Sequence, residues 1–154
     1  MTTTITPYLS FNGTTREAYA FYALALGAKI RAMLRYGDMP KMEGQPQGCD
    51  MPALVADQIM HAALELPGGA LLFAGDVPPH MMPASGYPGI QCCMLALQYD
   101  TTDQAQSAFH ALSQGGKVTM PLAPTFWAKT FGMVTDRFGV EWGISGEPIP
   151  LPAQ

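Results

Sequence analysis

The sequence predicts an α+β fold made of two tandem βαβββ units. Three observations carry that prediction. Two amphipathic helical stripes, each opened by a threonine with Glu or Gln three residues on, stand in the two halves of the chain. A strand-like run precedes each stripe, and further strand-like runs broken by Gly-containing turns follow it. A proline-dense stretch separates the two passes.

In the first pass, 7–11 (Pro-Tyr-Leu-Ser-Phe) reads as a strand. Thr14 and Glu17 have capping-box spacing, Ala18, Phe21, Tyr22, Ala25 and Leu26 recur at helical spacing, and Gly27 is a stop signal, so a helix is predicted over 14–26. Strands follow at 29–36, 58–66 and 70–74, with a loop rich in Gly, Pro and Met over 37–52 and a hairpin turn at Pro67-Gly68-Gly69. The second pass repeats this order. A strand is expected over 92–99; Thr101, Gln104 and Ala105 return in the places of Thr14, Glu17 and Ala18. Ala108, Phe109 and Leu112 continue the stripe, Gly115-Gly116 ends it, and a strand restarts at Lys117-Val118. A closing hairpin is expected from 131–135 and 140–144 across Asp136-Arg137-Phe138-Gly139, with Gly139 supplying the unusual φ.

These signals divide one domain, 1–154, into a first unit at 5–75, a linker at 76–89 holding Pro78, Pro79, Pro83 and Pro88, a second unit at 90–146, and an extended tail at 147–154. With 154 residues, 48% of them apolar and only 13% charged, the chain is expected to pack a core rather than stay disordered. A net charge of −4 argues against nucleic acid as a partner. No apolar run reaches the ~18 residues a membrane span needs, and the first residues lack a basic, then apolar, leader pattern. Three cysteines cannot form a paired framework, so a cytoplasmic protein with free thiols is expected. Cys92 and Cys93 read as opposite faces of a strand and as small core residues, and Cys49 as a loop thiol.

Two such units in one chain resemble the vicinal oxygen chelate superfamily, which includes glyoxalase I, bleomycin-resistance proteins and extradiol dioxygenases. The words 6–13 (Thr-Pro-Tyr-Leu-Ser-Phe-Asn-Gly), Phe21-Tyr22 through Leu26-Gly27-Ala28, 36–40 (Tyr-Gly-Asp-Met-Pro), 125–128 (Thr-Phe-Trp-Ala) and, most specific, 131–142 (Phe-Gly-Met-Val-Thr-Asp-Arg-Phe-Gly-Val-Glu-Trp) resemble its PhnB-like branch over nearly the whole chain. The resemblance implies the glyoxalase/bleomycin-resistance fold, with curved mixed sheets around a cavity. Members of this branch have carried a 3-demethylubiquinone methyltransferase label. No strand-Gly-x-Gly-helix nucleotide fingerprint supports it here.

The resemblance also implies four metal-ligand positions, two per unit, which align with Pro7, Phe73, Met94 and Gly143. Three have no donor side chain, and a thioether suits no hard divalent ion; the neighbours Tyr8, Ala74, Leu95 and Trp142 are no better. His61 and Glu65 share a strand face but stand about 13 Å apart along it, too far for one ion. No metal and no cofactor are therefore expected.

Three groups could line a cavity instead. His61 and Glu65 share their face with Ile59 and Ala63, while Met60, Ala62, Leu64 and Leu66 suit packing under a helix; His61 is the candidate acid/base group, with a backbone-bonded sheet histidine as the alternative. Asp38 and Met39 lie in a turn, where Asp commonly bonds its own backbone. Phe126, Trp127 and Phe131 could wall an apolar ligand or a subunit interface, with core packing an equal contender, whereas Trp142 reads as core. The expected function is binding of a small, partly apolar molecule in a metal-free cavity, the reaction unassigned. The alternative is a metal-independent enzyme using His61, and a metal-dependent lyase or dioxygenase ranks last. A homodimer is expected, because one helix cannot cover both faces of a sheet.

Overall fold

The computed structural model describes residues 3–39 and 52–150. The first unit contains β1 (Tyr8–Phe11), α1 (Thr15–Leu26), β2 (Lys29–Arg35), a 3-10 turn (Tyr36–Asp38), a short α2 (Ala53–Ala56), β3 (Ile59–Glu65) and β4 (Leu71–Asp76). The second contains β5 (Met94–Tyr99), α3 (Thr102–Ser113), β6 (Lys117–Ala123), β7 (Ala128–Thr135) and β8 (Glu141–Pro148). The chain divides into two compact units, Met1–Gly89 and Ile90–Gln154.

Each unit builds one four-stranded mixed sheet, ordered β1-β4-β3-β2 in the first and β5-β8-β7-β6 in the second. In both, the first strand pairs parallel with the last, and the other neighbours pair antiparallel. The duplicated βαβββ order is thus present as duplicated topology. Neither four-stranded sheet closes into a barrel.

One helix covers one face of each sheet. In the first unit Ala18, Tyr19, Tyr22 and Leu26 of α1 are buried, as are the alternate strand residues Leu9, Phe11, Ala62, Leu64, Leu72 and Ala74. The Tyr19 hydroxyl, taken out of water here, donates to the Leu72 carbonyl at 2.8 Å, so the ring brings no unpaired polar atom into the core. In the second unit Ala105, Ala108, Phe109 and Leu112 face Trp142, Ile144 and Val134. The close approach of α3 depends on two glycines. A Cβ on Gly132 would lie 2.8 Å from the Phe109 ring, and one on Gly146 would lie 2.7 Å from the Thr101 carbonyl oxygen.

Several boundaries differ from those read in the sequence, for local reasons. Thr101 caps α3, accepting from the Gln104 N–H, but the Thr14 side chain makes no such bond. Asp76, where the sequence puts the start of the linker, is the buried last residue of β4 and supplies that cap instead. β6 runs through Pro121, which an edge strand tolerates because its missing N–H has no neighbour to serve; the pairing skips from Met120 to Ala123 around it. β7 and β8 extend to 128 and 148. Cys92 and Cys93 correct an expectation: both are exposed before β5, and Cys92 has φ of 55°, so neither is a core strand residue. Cys49 and most of the 37–52 loop lie outside the described residues.

Candidate functional site

Each unit has one sheet face that its own long helix does not cover. In the first unit the period-two alternation of strands decides which residues reach it. Leu9 and Phe11 of β1 turn into the core, so Tyr8 and Ser10 turn outward. Tyr8 pairs with Phe73, Phe73 with Ala63, and His61 with Leu34, which brings these side chains to the same open face.

His61 stands between two aromatic rings there. Its ring centroid lies 5.0 Å from that of Phe73, edge-on, and 5.8 Å from that of Tyr8. Neither imidazole nitrogen takes a hydrogen bond from a described residue. The expected division of β3 holds for 61–65, with Ala62 and Leu64 buried under α1, whereas Met60, expected under the helix, is only half-buried and lines a cavity with Tyr8 and Ser10. Ile59 departs from it: a register shift opposite Leu34 and Arg35 leaves Ile59 buried, with its N–H donating to the Asp76 carboxylate at 2.8 Å.

The other candidates fall in three places. Glu65 shares the open face but is taken by Arg31 at 2.5 Å; that hydrogen bond, opposed by desolvation and helped by the guanidinium charge, holds its carboxyl below the usual range. Asp38 sits in the turn leaving β2 and receives two hydrogen bonds from the Arg35 guanidinium, at 2.7 and 3.1 Å, and one from the Arg35 N–H at 3.2 Å; these bonds lower its pKa. Arg35 also reaches Asp57 at 3.4 Å. Asp38 is thus engaged in shaping a turn, and Met39 follows it half-exposed. Phe126, Trp127 and Phe131 belong to the second unit, where they form one edge-to-face series with centroids 4.7 and 5.4 Å apart. Phe131 lies on the open face of that sheet, opposite Ser145.

The four positions that the resemblance marks for a metal adjoin in pairs. The Pro7 carbonyl accepts from the Phe73 N–H at 2.9 Å, and a Cβ on Gly143 would lie 2.9 Å from the Met94 sulfur. The donors present do not fit a divalent ion: a spent carbonyl and a soft thioether are the whole set, and no group of three His, Cys, Asp or Glu converges among the described residues.

Three residues of the first unit went unread in the sequence: Tyr8, Tyr36 and Asp76. The Tyr8 hydroxyl donates to the Met60 carbonyl at 3.0 Å, and that of Tyr36 to the Asp76 carbonyl at 3.1 Å. Burial first, then the nearby Asp76 charge, raises the pKa of Tyr36; for Tyr8 the same two effects act together with Tyr36 itself. The signal for Tyr8 was the alternation Tyr-Leu-Ser-Phe; nothing local marks Asp76.

Comparison with known proteins settles the family. A model of the Glyoxalase/Bleomycin resistance protein/Dioxygenase superfamily matches residues 4–144. The chain belongs to that superfamily. Within it, the protein is 33% identical over 146 residues to Protein YjdN of Escherichia coli (strain K12), covering 92% of this chain and 93% of the relative. Protein PA1353 from Pseudomonas aeruginosa is similar in structure, with a TM-score of 0.78 and 43% identity over 95% of this chain and 98% of that one. A Bacillus cereus protein described as a putative 3-demethylubiquinone-9 3-methyltransferase, PhnB protein, shares the fold with a TM-score of 0.68 and 23% identity over 94% of this chain and 99% of that one. The superfamily that the sequence resembles is thus the one whose model the chain matches.

Proposed function

We propose that the protein binds a small, partly apolar molecule on the open face of its first sheet, with no divalent ion at the superfamily's strand positions. The observation that carries this reading is the His61 ring, held between Phe73 and Tyr8 on the face opposite α1, with neither nitrogen hydrogen-bonded among the described residues. Such a site offers flat apolar contact and one hydrogen-bonding group to orient the ligand. The test is a thermal-shift screen of small aromatic compounds, followed by NMR of the His61 ring. A binder should shift the His61 ring signals and lose affinity in Phe73→Ala. Binders that leave both unaffected would refute the site.

The imidazole nitrogens, without a hydrogen-bond partner among the described residues, also favour a second reading, in which His61 is the acid/base group of a metal-independent reaction. Recovering the compound decides between them: unchanged material supports binding alone, and conversion lost in His61→Gln supports catalysis. The bearing of the methyltransferase name on this chain is slight, since no nucleotide fingerprint stands in the sequence.

We further place the protein in the cytoplasm as a homodimer. Exposed Cys92 and Cys93 suit a reducing compartment, and no helix among the described residues is long and apolar enough to cross a membrane. Exposed Met94, Val118, Met120 and Leu34 leave apolar surface for a second copy. Light scattering should report twice 16.5 kDa at micromolar concentration; a monomer would overturn the dimer.

A further inference from the structure

The open face of the first sheet ends in a cavity of about 180 Å³ lined by Tyr8, Ser10, Tyr36, Met60, Asp76 and Met81, among others. Most of its wall is apolar; the polar side chains in it, Tyr8, Ser10, Tyr36 and Asp76, end in oxygen, and the described residues that line it include no Lys, Arg or His. The Tyr8 and Tyr36 hydroxyls spend their hydrogens on the Met60 and Asp76 carbonyls, so each oxygen has only lone pairs left to offer. A third phenol, Tyr87, donates to the Ser10 carbonyl at 2.6 Å. The Asp76 carboxylate is bound by Thr15 and Ile59, yet its charge still raises the pKa of Tyr8, Tyr36 and Tyr87, in each case behind burial. Gly75 keeps the wall in place: a Cβ there would lie 2.5 Å from the Met60 carbonyl oxygen and 2.7 Å from the Tyr8 hydroxyl.

Among the described side chains an anion or a ketone would find one donor here, the Ser10 hydroxyl, unless a phenol abandoned its carbonyl. A group that brings its own hydrogens finds acceptors, and a cation finds aromatic rings and a negative field. We propose that this cavity takes the primary ammonium end of a small amine, its N–H donors meeting the Tyr8 and Tyr36 oxygens and its carbon chain bordered by Met60 and Met81. The proposal deepens the open-face reading and rests on it, because Tyr8 both lines the cavity and touches His61.

The test titrates the full chain at neutral pH with n-butylammonium chloride, 1-butanol and tetramethylammonium chloride, following the ring protons of Tyr8 and Tyr36 by NMR. Butylammonium should bind at least roughly tenfold tighter than the other two, the margin expected of charge-assisted hydrogen bonds. Tyr36→Phe, which keeps the ring and loses the oxygen, should weaken butylammonium alone. Equal binding of butanol would reduce the cavity to an apolar dent, and equal binding of tetramethylammonium would remove the role of the donors; either overturns the proposal, as does an unaffected Tyr36→Phe. A neutral aromatic binder sensitive to Phe73→Ala separates the two readings. If it binds while butylammonium does not, the ammonium assignment falls alone; if it fails as well, the open-face site falls with it.

Discussion

Asp76 closes the N-terminus of α1 on Thr15, a residue 61 positions away: its Oδ1 accepts the Thr15 backbone N–H at 3.0 Å and the Thr15 hydroxyl at 2.6 Å. Oδ2 accepts the Ile59 N–H at 2.8 Å, so one carboxylate ties the helix, β3 and β4 together at one corner. The second unit does the same job with the next residue along. There the Thr102 hydroxyl, opening α3, donates to Glu147 at 2.6 Å, while Gly146 occupies the position of Asp76 because α3 leaves no room for a side chain. A negative group at a helix N-terminus also favours the helix dipole.

Asp76→Ala should therefore destabilise the protein by about 2–4 kcal/mol, since buried donors on Thr15 and Ile59 lose their acceptor. Asp76→Asn, which keeps one oxygen, should cost less. Urea unfolding of the two variants measures this. An alanine variant within ~0.5 kcal/mol of the parent would show that water replaces the carboxylate without loss.

Gly132→Ala and Gly146→Ala should each cost about 1–3 kcal/mol, because a methyl group must push Phe109 or the start of α3 away from the sheet. The contacts at stake are 2.8 Å to the Phe109 ring and 2.8 Å to the Ala105 Cβ. Thermal unfolding reads the effect, and Phe109→Leu in the Gly132→Ala background should recover part of it. An unchanged midpoint in Gly132→Ala would mean that α3 is not seated where those distances put it.

Much of this architecture could be read along the chain, and the reasons are physical. Helical stripes such as Ala105-Ala108-Phe109-Leu112 and the alternation along 61–65 are local periodicities, so they announce both the element and its buried face. His61 and Glu65 came to one open face for that reason. The cap on α1 could not be read, because Thr15 and Asp76 meet only after β4 has docked beside β1. The Tyr36 hydroxyl likewise finds the Asp76 carbonyl across a separation of 40 residues. The short α2 follows a loop signal and has one buried residue, Val55, too little for a periodic pattern. Cys92 misled because a run of Cys-Cys-Met-Leu-Ala-Leu reads as strand throughout, whereas its left-handed φ ends the strand before Met94.

Alkaline pH should unfold the protein earlier than its charge alone suggests. Burial raises the pKa of Tyr8, Tyr36, Tyr87 and Tyr99, and that of Tyr19 furthest, above the ordinary 10.0. The unfolded chain gives up these protons near that value while the folded chain keeps them. Stability is thus fully present below about pH 10 and falls as pH rises above it. Tyr19→Phe should be less stable at neutral pH, having lost the bond to Leu72, but should show a shallower decline between about pH 9 and 11. Urea midpoints across that range decide, and a decline as steep as the parent's would remove Tyr19 from the account.

The two tryptophans should separate cleanly by role. Trp142 on β8 is 1% exposed, and its indole N–H donates to the Asp136 carboxylate at 2.8 Å. That carboxylate also accepts the Phe138 and Val140 N–H groups, so the indole is fixed to the turn that ends β7. Trp127 is 37% exposed and touches Phe126 and Phe131 edge-on at the open face. Trp142→Ala should cost about 3–5 kcal/mol, from lost burial and an acceptor left short of its donor. Trp127→Ala should cost about 1 kcal/mol or less, and should act on whatever covers that face, lowering the affinity of a ligand or of a second copy. With only two tryptophans in the chain, fluorescence assigns them: Trp127→Phe should leave the blue-shifted emission of a buried indole, and Trp142→Phe the red-shifted emission of a wet one. A Trp127→Ala variant that unfolds as readily as Trp142→Ala would make the aromatic series part of the core and end its claim as a contact surface.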